Sequence, residues 1–164
     1  MELNILVMGV SGCGKTTLAK AIAQNLSIEF VEADDFHSEK NVAKMKSGIA
    51  LNDEDRKPWL KALNEKWRDK GSFVLSCSAL NESYRKQLFE GISKSSIIFF
   101  LNGSFDLIAT RMKLREGHYM PVNLLQSQFE TLEEPKNAIW LNCEEPISNL
   151  VEKALQEIKK KTNL

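Results

Sequence analysis

The chain has 164 residues, 43% of them hydrophobic and 27% charged, which suits one domain with a real core. Its 22 basic and 22 acidic side chains cancel, and a net charge of zero argues against a general nucleic-acid or membrane-surface binder. Three widely spaced cysteines (Cys13, Cys77, Cys143) form neither a disulfide framework nor a zinc pattern, so a reducing, cytoplasmic setting is the simplest reading. No signal peptide is legible before the first apolar run, and no run approaches membrane-spanning length.

In chain order, Asn4–Met8 (NILVM) is apolar without alternation, as expected for a parallel strand buried on both faces. Leu18, Ile22 and Leu26 recur at four-residue spacing and predict a helix. Glu29–Glu32 is the second strand, followed by a helix around Glu39–Lys46. Leu60, Leu63 and Trp67 predict a further helix after Pro58, a residue favoured in a first turn. Strands follow at Ser72–Ser76, Ser96–Leu101 and Ala138–Leu141. Ile147, Leu150, Val151, Ala154, Leu155 and Ile158 then form an apolar stripe after Pro146, and Lys159-Lys160-Lys161 reads as the solvated last turn of that helix. Strand–helix alternation implies an α/β fold with a parallel sheet covered on both sides. No repeat or linker divides the chain, so residues 1–164 read as one domain.

The first strand runs into Gly9-Val10-Ser11-Gly12-Cys13-Gly14-Lys15-Thr16, the P-loop pattern, in the strand–loop–helix context it requires. Glycines let successive N–H groups point at phosphate oxygens, and the helix N-terminus adds its dipole. Gly12, Cys13, Gly14, Lys15, Thr16 and Thr17 are therefore the expected nucleotide-binding residues, with Lys15 on the outer phosphates and the Thr16 hydroxyl on magnesium. Cys13 reads as a small residue tolerated in the loop.

A P-loop specifies a nucleotide, not a reaction. The [NT]-K-x-D motif usual in guanine-specific GTPases is absent, and Ser72–Ser76 continues into Cys77-Ser78-Ala79 without a Walker B acid. A small kinase can do without that acid if another carboxylate stands near the phosphates. Asp34 lies just past the second strand, on the sheet edge where ligands bind. It is the candidate to accept a proton from a substrate hydroxyl and to hold magnesium, directly or through water. Its neighbour Asp35 reads as a cap for the helix around Glu39–Lys46. Farther on, Arg111 and Arg115 with Gly117 suit a lid that closes on phosphates and excludes water.

GVSGCGKTT, the D-x-x-H of Asp34–His37, LNDEDRKPWL, CSAL followed by YR, R-x-x-x-R-x-G-H-Y and LLQSQFETLEEP occur in order over nearly the whole chain. Together they resemble the gluconate kinase (gluconokinase) family. LNDEDRKPWL and SQFETLEEP are the particular ones, since many kinases share a P-loop. The resemblance implies a nucleoside-monophosphate-kinase-like P-loop NTPase fold: five parallel strands, helices on both faces and a helical lid, here about 112–128. It implies phosphorylation of the terminal hydroxyl of D-gluconate by ATP with Mg2+, giving 6-phosphogluconate, in a homodimer. Carried over by position, Asp34 is the proton acceptor, Lys15 and Arg115 act on the transferring phosphate, and Arg111 joins Arg115 in facing ATP. Arg56 and Arg85 would hold the sugar-acid end, because guanidinium forks fit carboxylates. His37 and His118 are either hydroxyl partners or structural residues. The alternative is another small-molecule kinase of the same fold, of shikimate- or adenylate-kinase type. Three positions depart from the family pattern: Glu32-Ala33-Asp34 stands where Asp-Gly-Asp is frequent, Asn142 where an acid is, and Glu116 where a basic residue is.

Overall fold

Every residue of strand β1 (Asn4–Met8) is buried, as a central strand covered on both faces must be. The computed structural model describes residues 2–69, 71–92, 95–115 and 121–162. After β1 come α1 (Lys15–Leu26), β2 (Glu29–Glu32), a one-turn 3-10 helix (Ala33–Phe36), α2 (Glu39–Lys46), α3 (Asp53–Arg68) and β3 (Phe73–Ser76). The remainder is α4 (Glu82–Leu88), β4 (Ser96–Asn102), α5 (Phe105–Lys113), α6 (Val122–Thr131), β5 (Ile139–Asn142) and α7 (Ile147–Thr162).

The five strands pair in parallel in the order β2-β3-β1-β4-β5. Helix α1 lies over β1, β2 and β3 and packs against α7, while α3 packs against α4. The core runs through the sheet, with Trp67, Phe99 and Phe100 among its largest fully buried side chains. Register matters for the site. Glu32 at the end of β2 stands opposite Ser76 at the end of β3, and Ser76 stands opposite Val7 of β1. The P-loop leaves β1 just beyond that row, so these strand ends converge on it.

Two local expectations are corrected. Helix α3 does not start at Pro58; it starts at Asp53, and Pro58 lies inside it. The reason is a capping box: the Asn52 side chain accepts from the Asp55 N–H (2.8 Å) and Asp55 Oδ2 accepts from the Asn52 N–H (3.0 Å). Helix α2 is capped by Ser38, whose hydroxyl accepts from the Asn41 N–H (3.2 Å), and not by Asp35. Asp35 is taken up in the 3-10 turn and is exposed. Among the described residues no helix is long and apolar enough to cross a membrane.

Candidate active site

Gly14 caps α1 with φ of 100°, a left-handed conformation that glycine adopts without strain, and it brings no side chain to the helix end. Helices α2, α3, α4 and α5 are capped by the side chains of Ser38, Asn52, Asn81 and Ser104. The first turn of α1 has neither such a cap nor an acid, so its N–H groups and dipole remain available to an anion. Gly12 also has a positive φ of 79°, and a Cβ there would sit 2.7 Å from Met112 Cγ. The Cys13 side chain is buried and points back towards Gly9, which leaves its backbone as its contribution to the loop. Lys15 Nζ donates to the Val10 carbonyl (3.0 Å).

The Thr16 hydroxyl donates to Glu32 Oε2 (2.6 Å) and lies 3.4 Å from Ser76 Oγ. Ser76 ends β3, the strand next to β1, where a Walker B acid would be sought. The carboxylate is one strand farther out, on β2, and the longer glutamate side chain spans the gap. Glu32 is the residue that sequence reasoning missed. Its signal was its place as the last residue of β2, level with the P-loop, but strand position alone does not say which way a side chain reaches. Among the described residues no three His, Cys, Asp or Glu side chains cluster into a metal cage. A hydroxyl beside one carboxylate still fits magnesium, which takes one or two carboxylates plus substrate phosphates.

Two cavities meet at this point. One, of about 420 Å3, runs along the P-loop past Thr16 and Thr17 to Met112 and Arg115. The other, of about 100 Å3, is lined by His37, Arg56, Trp59, Leu124, Ser127 and Gln128, among others. Both are lined by Ser11, Lys15, Glu32 and Asp34. Asp34 is thus at the junction, and the exposed Asp35 lines neither cavity. Trp59 Nε1 donates to the Ala33 carbonyl (2.8 Å), which ties the turn carrying Asp34 to α3. The same indole stacks on His37 at 4.3 Å between ring centres. Burial pushes the His37 imidazole below its usual pKa and Arg56 adds to that, against the opposing pull of Asp34. The ring is therefore neutral at pH 7, able to donate from one nitrogen and accept at the other.

Arg56 is held along one edge. Its Nη1 donates to the Leu51 carbonyl (2.7 Å) and to the Tyr84 hydroxyl (3.0 Å), and that hydroxyl donates to Asp53 Oδ1 (2.6 Å). The guanidinium also lies over the Tyr84 ring, 5.0 Å from its centre. Among the described residues no partner takes Nε–H or Nη2–H, the pair that forms a side-on fork for a carboxylate.

Arg85 lies away from these cavities. It is buried, with Nη1 donating to the Ala79 carbonyl (2.8 Å) and Nη2 to the Glu133 carbonyl (2.9 Å). Ala79 has φ of 43°, so the arginine satisfies a carbonyl in a strained turn after β3 and joins it to the segment after α6. Both of its Nη atoms hold backbone carbonyls, and it lines neither cavity. Arg85→Met is expected to cost about 2–3 kcal/mol of stability through the two orphaned carbonyls, read as a lower denaturant midpoint, with substrate KM little changed. Arg111 also departs from expectation: its Nη1 donates to the Cys143 carbonyl (2.6 Å), anchoring α5 to the loop after β5, whereas Arg115 lines the P-loop cavity. Burial pushes the Cys77 thiol up to about 12, so it is no nucleophile at neutral pH. His118 and the centre of the expected 112–128 lid, residues 116–120, lie outside the described residues.

Known proteins similar to this chain include kinases. The family model described as shikimate kinase matches residues 11–159. The thermoresistant gluconokinase of Escherichia coli is 40% identical over 163 residues, covering 94% of this chain and 93% of that protein. A probable gluconokinase of Dictyostelium discoideum is 42% identical over 169 residues, covering 96% and 84%. The crystal structure of a gluconokinase from Sinorhizobium meliloti superposes with a TM-score of 0.90 at 40% identity, over 98% of this chain and 93% of that one. Shikimate kinase from Aquifex aeolicus shares the fold at a TM-score of 0.65 and 16% identity, over 96% and 97%. By matches that run over nearly its whole length, this chain belongs to the gluconokinase family, within the wider group that the shikimate kinase model describes.

Proposed function

We propose that the protein is an ATP-dependent gluconokinase, transferring the γ-phosphoryl of ATP to the terminal hydroxyl of D-gluconate to give 6-phospho-D-gluconate and ADP. One observation carries the reading: a phosphate-binding cavity and an acceptor cavity share Lys15 and Asp34, and the acceptor cavity also holds the half-anchored fork of Arg56. A sugar acid has the matching chemistry, with a carboxylate for the fork at one end and a hydroxyl for Asp34 at the other.

The P-loop N–H groups and the dipole of α1 bind the phosphate chain, and Lys15 follows the charge on the group in flight. Asp34 accepts the hydroxyl proton as the oxygen attacks phosphorus. Neutral His37, braced by Trp59, offers a hydroxyl partner in the cavity that Asp34 and Arg56 also line. Arg115 supplies a further cation on the phosphate side. Thr16 and Glu32 are the residues to hold magnesium, which supplies neutralisation of charge on phosphate oxygens. The protein acts as a homodimer in the cytoplasm, a single kinase domain with a lid at about 112–128; light scattering on the purified chain checks the dimer.

The test is a coupled ADP-release assay with gluconate, shikimate, nucleoside monophosphates and hexoses. Turnover on gluconate is expected; strong turnover on another acceptor with none on gluconate overturns the reading. Arg56→Ala is expected to raise the gluconate KM by about tenfold or more, the worth of a charge-assisted fork, with the ATP KM nearly unchanged. An effect confined to ATP would reassign Arg56.

A further inference from the structure

The segment LLQSQFETLEEP is among the most particular stretches of the sequence, yet the reaction as described uses none of it. Most of it has a packing role. Leu124 and Leu125 are buried, and Phe129 meets Phe105 edge-on at 5.6 Å. The Glu133 N–H donates to the Leu80 carbonyl (2.8 Å), which fastens the end of the segment to the turn after β3.

Gln128 does something else. Its Oε1 accepts the Ser11 backbone N–H (2.7 Å) and its Nε2 donates to the Ser11 hydroxyl (2.9 Å). Both ends of one amide are committed to one P-loop residue 117 positions away. The orientation of the amide is fixed, because a backbone N–H can only donate and so must face the oxygen. Two bonds at one residue fix both the distance and the twist of the loop relative to α6.

The location gives this a consequence. Ser11 lines both cavities, and Gln128, with Leu124 and Ser127 one turn before it or beside it on α6, lines the acceptor cavity. Helix α6 is thus a wall of the acceptor cavity that grips the phosphate loop directly. A molecule that orders this wall orders the loop through the two Gln128–Ser11 bonds.

We propose that Gln128 is a positioning residue that couples the two cavities, so that sugar acid and nucleotide bind more tightly together than apart. The inference rests on gluconate being the acceptor. Saturating gluconate tightens binding of a non-hydrolysable ATP analogue with magnesium by about fivefold or more, the lower end of ordinary coupling between sites, and nucleotide tightens gluconate by the same factor.

Calorimetric titration of the analogue with and without gluconate tests this on the whole protein and two variants. Gln128→Met keeps the length and removes both hydrogen bonds; it is expected to reduce the coupling to less than about twofold while the protein stays folded. Gln128→Glu accepts from both the N–H and the hydroxyl of Ser11. Its charge weakens nucleotide binding in both states and cancels in the ratio, so coupling persists. Coupling that survives in Gln128→Met, or that is lost equally in both variants, overturns the proposal. Gluconate binding to the wild-type protein without any coupling overturns this inference alone. No gluconate binding at all overturns it together with the gluconokinase reading.

Discussion

Lys15→Ala is expected to lower kcat by about 100- to 1,000-fold, the usual loss when one preorganised group facing developing charge is removed. Lys15 is the only cation among the four residues that line both cavities. Its ammonium alone can stay with the phosphoryl group from donor to acceptor, so its removal acts on the transition state more than on either ground state. The loop itself does not depend on it, since Gly12, Gly14 and the buried Cys13 set the turn and the lysine makes one bond to Val10. The melting temperature should therefore hold while turnover in the coupled assay collapses. Near-normal turnover would remove Lys15 from the phosphate role.

Asp34→Asn should reduce kcat by about a hundredfold or more, because the amide cannot accept the hydroxyl proton. The paired control is Asp35→Asn, expected to change kcat by less than about threefold, within the small effects usual for exposed positions. The two acids are neighbours in one 3-10 turn and are both exposed, so composition, local structure and burial do not separate them. What separates them is direction: Asp34 lines both cavities, and Asp35 lines neither. Equal losses in the two variants would mean that the turn is repositioned on binding or that the proton goes elsewhere. Steady-state kinetics on the two proteins, with gluconate and ATP varied in turn, distinguish these cases.

Much of the chemistry was legible in the residues themselves. Apolar runs marked the three inner strands β1, β3 and β4, because strands covered on both faces cannot hide their composition, while the edge strands β2 and β5, with only Val31 and Leu141 buried, stood out less. The P-loop could be read because its function resides in local backbone geometry, which glycine spacing specifies within a few residues. Helix starts were less legible. Pro58 suggested a first turn, but the Asn52–Asp55 capping box started α3 five residues earlier, and Ser38 rather than Asp35 capped α2.

The arginines show where reading the chain stops. Arg56, Arg85, Arg111 and Arg115 are equally good anion ligands as residue types, and each lies in a segment expected to face a ligand. Only the packed structure divides them. Arg85 and Arg111 are drawn onto the carbonyls of Ala79, Glu133 and Cys143, while Arg56 keeps one edge free and Arg115 reaches the P-loop cavity. A long, flexible guanidinium goes to whichever acceptor the fold leaves unsatisfied, and two of these, the Glu133 and Cys143 carbonyls, lie 48 and 32 positions away.

The sequence by itself determined the class of fold, the phosphate loop, and a kinase-like pairing of that loop with Asp34, because each depends on local composition and spacing. Tertiary structure alone decided that Glu32 stands beside Thr16, that Gln128 grips Ser11, and which arginines remain free. Those pairings join residues 16 to 117 positions apart through strand register and helix packing, which no local pattern encodes.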